Sequence, residues 1–165
     1  MSAWQLAQLN IGIIRGPMDS PLMAEFAANL ARINALADRA PGFVWRLQTE
    51  AGDATALRPF PRDDLLVNLS VWQDLQSLTA YVYQSAHVEV MRRRREWFER
   101  MEQPYLVLWW VPRAHIPSVA EASARLEALR REGPTPHAFT FRAAFPAPDA
   151  PAPAAAASGA ECPAR

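Results

Sequence analysis

Lysine is absent from this 165-residue chain, and all 17 of its basic residues are arginine. A Schiff-base or pyridoxal-phosphate lysine, a P-loop lysine and a lysine general base are therefore excluded together. Cysteine is nearly absent too. The one cysteine, Cys162, lies in a Pro/Ala-rich stretch, which leaves no intrachain disulfide, no Cys-x-x-Cys site and a poor nucleophile candidate. Net charge is missing as well, because 17 acidic residues balance the arginines. Nucleic acid is thus not the expected partner, since counterion release needs a basic excess. No apolar run is long enough to span a membrane, and the first residues, Met1-Ser2-Ala3-Trp4-Gln5, do not read as a signal peptide, so a cytoplasmic protein is expected. Neither Gly-x-Gly-x-x-Gly nor Gly-x-Ser-x-Gly occurs, which leaves a dinucleotide fold and a hydrolase nucleophile elbow unsupported. The three histidines, His87, His115 and His137, do not have helical metal-ligand spacing, and no metal site is expected.

What is present is punctuated clearly. Trp4 to Ile11 alternates as a first strand, ended by Gly12 and Gly16-Pro17. Ser20 as N-cap and Pro21 at the first helical position open an expected helix over 20–39, whose apolar stripe is Leu22, Phe26, Leu30, Ile33 and Ala37. Pro41-Gly42 stops it, Phe43 to Gln48 forms a second strand, and Thr49 to Arg62 reads as a loop. Asp64 to Trp72 is the clearest strand, with Leu65, Val67, Leu69 and Val71 on one face and Leu66, Asn68, Ser70 and Trp72 on the other. Asp74 caps a following helix, Ser85 restarts or bends it, and helical spacing continues to about Met101. Tyr105 to Val111 is apolar throughout, as in a strand buried on both faces. Ser118 and Glu121 form a capping box for one more helix, which Gly133-Pro134 closes, and Ala138 to Phe145 reads as a further short strand. From Pro146 the chain has little to bury, so residues 1–145 are expected to form the domain and 146–165 a disordered Pro/Ala-rich tail.

The order β-α-β-β-α-β, with an added helix and strand, predicts an α+β ferredoxin-like fold with an antiparallel sheet and helices on one face. Its other face is also apolar and must be covered. A second copy of the same sheet would do this, giving a homodimeric α/β barrel.

The run Arg92-Arg93-Arg94-Arg95 spreads around a helix instead of forming one basic face. Arg93 with Glu89, Arg92 with Glu96 and Arg95 with Glu99 are spaced for ion pairs four residues apart. Arg94 has no such partner: Val90, Met91, Trp97 and Phe98 surround it, and it shares a stripe with His87, Met91 and Phe98. Such an arginine forms an internal ion pair, snorkels its charge to solvent, or anchors an anionic or carbonyl group of a ligand. His87 is likewise either a satisfied core residue or a proton acceptor. Asn10, Trp45, Asn68 and Trp72 are placed to face the helices across one cavity, with tryptophan walls and a few converging polar groups. The catalytic candidates are therefore His87, Asn10 and Arg94, and the candidates for holding a small organic substrate are Trp72, Trp45, Asn68, Met91 and Phe98.

His87 to Phe98, Leu108-Trp109-Trp110-Val111-Pro112, His115-Ile116-Pro117, Glu121-Ala122 and Gly133 to Phe141 resemble an uncharacterised bacterial domain-of-unknown-function family over about residues 4 to 147. That family is similar to the dimeric α/β-barrel superfamily, which includes antibiotic-biosynthesis monooxygenases and haem-degrading enzymes. The resemblance implies a cofactor-independent monooxygenase, in which Asn10 and Trp72 match an Asn on the first strand and a Trp near the end of the third. It also raises haem as a cofactor, ligated by a histidine on the following helix. Against that pattern His87 lies about one turn early, and Met91 falls nearer the ligand's place.

Overall fold

The computed structural model describes residues 2–48 and 64–152. Strands β1 (Trp4–Ile13), β2 (Phe43–Arg46), β3 (Leu65–Trp72) and β4 (Leu106–Pro112) form one antiparallel sheet in the order β2-β3-β1-β4. Helices α1 (Ala24–Arg39), α2 (Leu75–Val82), α3 (Ser85–Arg92) and α4 (Arg94–Trp97) belong to the two crossovers, and α5 (Val119–Glu132) follows β4. This is the expected α+β ferredoxin-like arrangement.

Several boundaries differ from expectation for local physical reasons. β1 runs through Gly12 because the Phe98 ring packs where a side chain would stand; a Cβ there would meet Phe98 at 2.5 Å. α1 begins at Ala24, not at residue 20, since the Ser20 hydroxyl donates to the Pro17 carbonyl at 2.5 Å and holds a turn. Asp74 caps α2 as expected, accepting from the Ser77 amide at 2.7 Å. The helical stretch after Ser85 breaks at Arg93 and ends at Trp97, where Phe98 turns extended. That break defeats the three expected ion pairs, and Arg93 instead bonds Glu96, three residues on, and Glu25 of α1. The short strand expected over 138–145 is reduced to single bridges, Leu108 to Phe139 and Thr135 to Ala138. The expected loop over 49–62 lies outside the described residues. So does the tail beyond 152, while residues just before it still touch the domain: Asp149 accepts from the Ser2 hydroxyl and the Ala3 amide.

The sheet separates two cores. On one face Leu6, Trp72 and Leu108 pack with Ile33 and Ala37 of α1, Leu78 and Tyr81 of α2, and Phe139. On the other face Ala7, Leu9, Val67, Leu69, Val107 and Trp109 pack with Ala122, Leu126 and Leu129 of α5. Every one of these residues is buried within the single chain. Over β1 and β4, α5 of the same chain covers the apolar face where the expectation placed a second copy.

Candidate functional site

Between the first face of the sheet and the helices lies a cavity of about 160 Å³. Period-two alternation fills its floor. Gln8 and Asn10 of β1 point the same way, opposite Ser70 and Asn68 of β3 in the antiparallel register. Asn10 Nδ2 donates to Gln8 Oε1 at 3.1 Å, and Gln8 Nε2 donates to Asn68 Oδ1 at 3.2 Å and to Ser70 Oγ at 3.1 Å. Trp72 Nε1 also donates to Ser70 Oγ, at 3.0 Å. With both lone pairs of Ser70 engaged, its hydroxyl proton is left as a donor on the cavity floor.

One end of the cavity is aromatic. Trp72 stacks on Tyr81 at 5.0 Å between centroids, Phe43 meets Trp72 edge-on at 5.4 Å, and the His87 ring is 5.2 Å from Tyr81. Burial pushes the Tyr81 phenol up to about 12, so it stays protonated and donates to the Ile33 carbonyl at 3.1 Å. Burial holds His87 below its ordinary value, with the Val82 carbonyl pulling weakly the other way. His87 is therefore neutral at pH 7, and its Nδ1 is buried with no hydrogen-bond partner among the described residues.

The other end carries a cation. The Arg94 guanidinium lies 4.8 Å from the Phe98 ring and 4.5 Å from the Tyr105 ring, and its Nη2 donates to the Ile11 carbonyl at 3.3 Å. Among the described residues no carboxylate pairs with it. Burial lowers its pKa, and the Tyr105 phenol partly opposes the shift. Arg46 also lines the cavity but is paired with Asp38 at 2.7 Å. The two ends are separated along β1. Trp72 sits opposite Leu6, and Asn10 is four residues further, about 13 Å of extended chain.

Of the residues expected at a site, His87, Asn10, Arg94, Trp72, Asn68, Met91 and Phe98 all line this cavity, with Met91 exposed on its solvent side. Trp45 does not. A bulge between Phe43 and Trp45 breaks the alternation of β2, so Phe43 and Arg46 reach the cavity while Trp45 packs with the core under α5. Gln8, Ser70, Tyr81 and Tyr105 were not expected. Two of them had a legible signal, since Gln8 shares a strand face with Asn10 and Ser70 shares one with Asn68 and Trp72. The space is smaller than the roughly 300–1,000 Å³ of sites for drug-sized ligands.

The family model described as a domain of unknown function (DUF3291) matches residues 5–155, and the chain belongs to that family. This agrees with the family expected from the motifs. Among solved structures, SnoaB, a cofactor-independent oxygenase from Streptomyces nogalater, is 23% identical with a TM-score of 0.47. That alignment covers 69% of this chain and 98% of SnoaB. A conserved protein from Methanosarcina mazei Go1 is 10% identical with a TM-score of 0.49, over 67% of this chain and 93% of that one. No curated protein matches the chain.

Proposed function

We propose that this member of the DUF3291 family binds a small aromatic or phenolic compound between its sheet and its helices and oxygenates it without a bound cofactor. The observation that carries this reading is the convergence on one cavity of stacked rings, a neutral half-buried histidine and an arginine with no carboxylate partner among the described residues. In this reading the ring of the substrate lies against Trp72 and Tyr81. His87 accepts the proton of an acidic hydroxyl, which a neutral imidazole can do and an imidazolium cannot. The anion that forms is electron-rich enough to react with oxygen. The Ser70 hydroxyl hydrogen-bonds the oxyanion, Gln8 and through it Asn10 hold that hydroxyl in place, and Arg94 makes the potential of the whole cavity favourable to negative charge. For a quinol the balance closes with no external reductant. One oxygen atom is retained on the ring, and the other leaves as water with two hydrogens and two electrons of the quinol.

Oxygen uptake with a panel of quinols and polyphenols tests the reading. Wild-type protein is expected to consume oxygen with at least one of them, and His87→Ala to slow it by about a hundred-fold or more, the usual effect of losing a general base. Equal rates for the two proteins would remove His87 from the chemistry. Binding without any oxygen uptake would leave a non-catalytic ligand-binding protein.

A further inference from the structure

Resting on that reading, we propose that the compound taken by this cavity carries a carboxylate a short distance from its ring, and that Arg94 is the residue that selects it. Arg94 is held on several sides. Phe98 and Tyr105 stand against the guanidinium, and one of its amino groups is engaged by the Ile11 carbonyl. The N–H groups left over lie in the guanidinium plane, and such a fork matches the two oxygens of a carboxylate. The protein supplies no carboxylate there among its described residues. Glu96, two positions on, is turned to Arg93, which also holds Glu25.

Separation makes the carboxylate distinct from the reacting hydroxyl. His87 and Ser70 stand with Trp72 and Tyr81, whereas Arg94 is fixed at the level of Ile11, five residues along β1 from the strand position opposite Trp72. A phenol without a second group would occupy the aromatic end and leave the desolvated cation without a counter-charge. Charge count sets the class further. Arg46, which also lines the cavity, is bonded to Asp38, so among the described residues the site offers one cation without a carboxylate partner and suits a monoanion better than a phosphate dianion.

Calorimetric titration of the intact protein at neutral pH, with para-hydroxyphenyl acids of increasing spacer length and with their primary amides, tests this. Ring and spacer are the same within each pair, so only the anionic end differs. The best acid is expected to bind wild-type protein about ten-fold or more tightly than its amide. Arg94→Gln is expected to abolish that preference, and Arg94→Lys to restore part of it. Equal binding of acid and amide by wild type overturns carboxylate selection while the aromatic-binding reading stands. A preference that persists in Arg94→Gln overturns the role of Arg94. Failure of every acid and amide to bind overturns both readings.

Discussion

Arg94 is held by two aromatic rings and a carbonyl oxygen, and this decides what its removal costs. Breaking a buried ion pair costs about 3–5 kcal/mol, because the partner charge is stranded. Among the described residues no partner charge is stranded here. Arg94→Met, which keeps the apolar stem, is expected to change unfolding stability by only about 1 kcal/mol or less in urea denaturation. His87 brings a pH dependence of definite sign. Burial puts its folded-state pKa below the ordinary 6.5, so between the two values the unfolded chain binds more protons than the folded one. The stability it supports is complete above the unfolded value and is lost as pH falls through the lowered one. Thermal melts from about pH 8 down to pH 5 should show a midpoint that drops below about pH 6.5, and His87→Gln should flatten the drop. A profile identical in the two proteins would mean that His87 is not desolvated. At this scale the site was largely legible, because period-two alternation on β1 and β3 brings Asn10, Asn68 and Trp72 to one face. Trp45 was not, because one extra residue in the bulge of β2 sends it to the opposite core.

Elements are joined here by a few polar anchors as well as by packing. Glu121, in the first turn of α5, accepts from the Trp109 indole at 3.0 Å and from His115 Nε2 at 2.7 Å. Burial alone would raise the Glu121 carboxyl, but those hydrogen bonds together with the nearby His115 and Arg125 charges hold it below its usual range. Trp109 is fully buried in β4, so its N–H has no water to turn to. Glu121→Ala should therefore cost about 1–3 kcal/mol, the penalty of a buried donor left unmatched, while Glu121→Gln keeps an acceptor and should cost less. Equal losses in the two variants, read by urea denaturation, would show that charge and not the indole bond fixes α5 to the sheet. The capping box was legible in Ser118 and Glu121, yet only half of it forms. The Ser118 hydroxyl accepts from the Glu121 amide, and the Glu121 side chain goes to Trp109 and His115. The arginine run misled in the same manner. Spacing of four residues implies pairing only along a continuous helix, and the chain leaves the helix at Arg93.

For the whole molecule, the question is what covers each face of the sheet. Alternation shows that β4 is apolar on both sides and that β2 and β3 offer apolar residues on each, but it carries no information on which segment covers them. A second copy and a helix of the same chain satisfy the same pattern. In the structure Ala122, Leu126 and Leu129 of α5 close the face against Leu9, Val107 and Trp109. Two copies meeting through the part of this face under α5 would have to displace that helix and expose its apolar stripe, which nothing else among the described residues is placed to cover. Leu126→Ala discriminates the arrangements. Leu126 is buried in the intact single chain, so truncating it should leave a cavity and cost about 2–5 kcal/mol. Because the void lies inside one chain, sedimentation should report the same mass for the variant as for wild type at every concentration where both stay folded. A mass that falls on dilution in the variant alone would place Leu126 between subunits, and α5 would then have to be assigned to the interface.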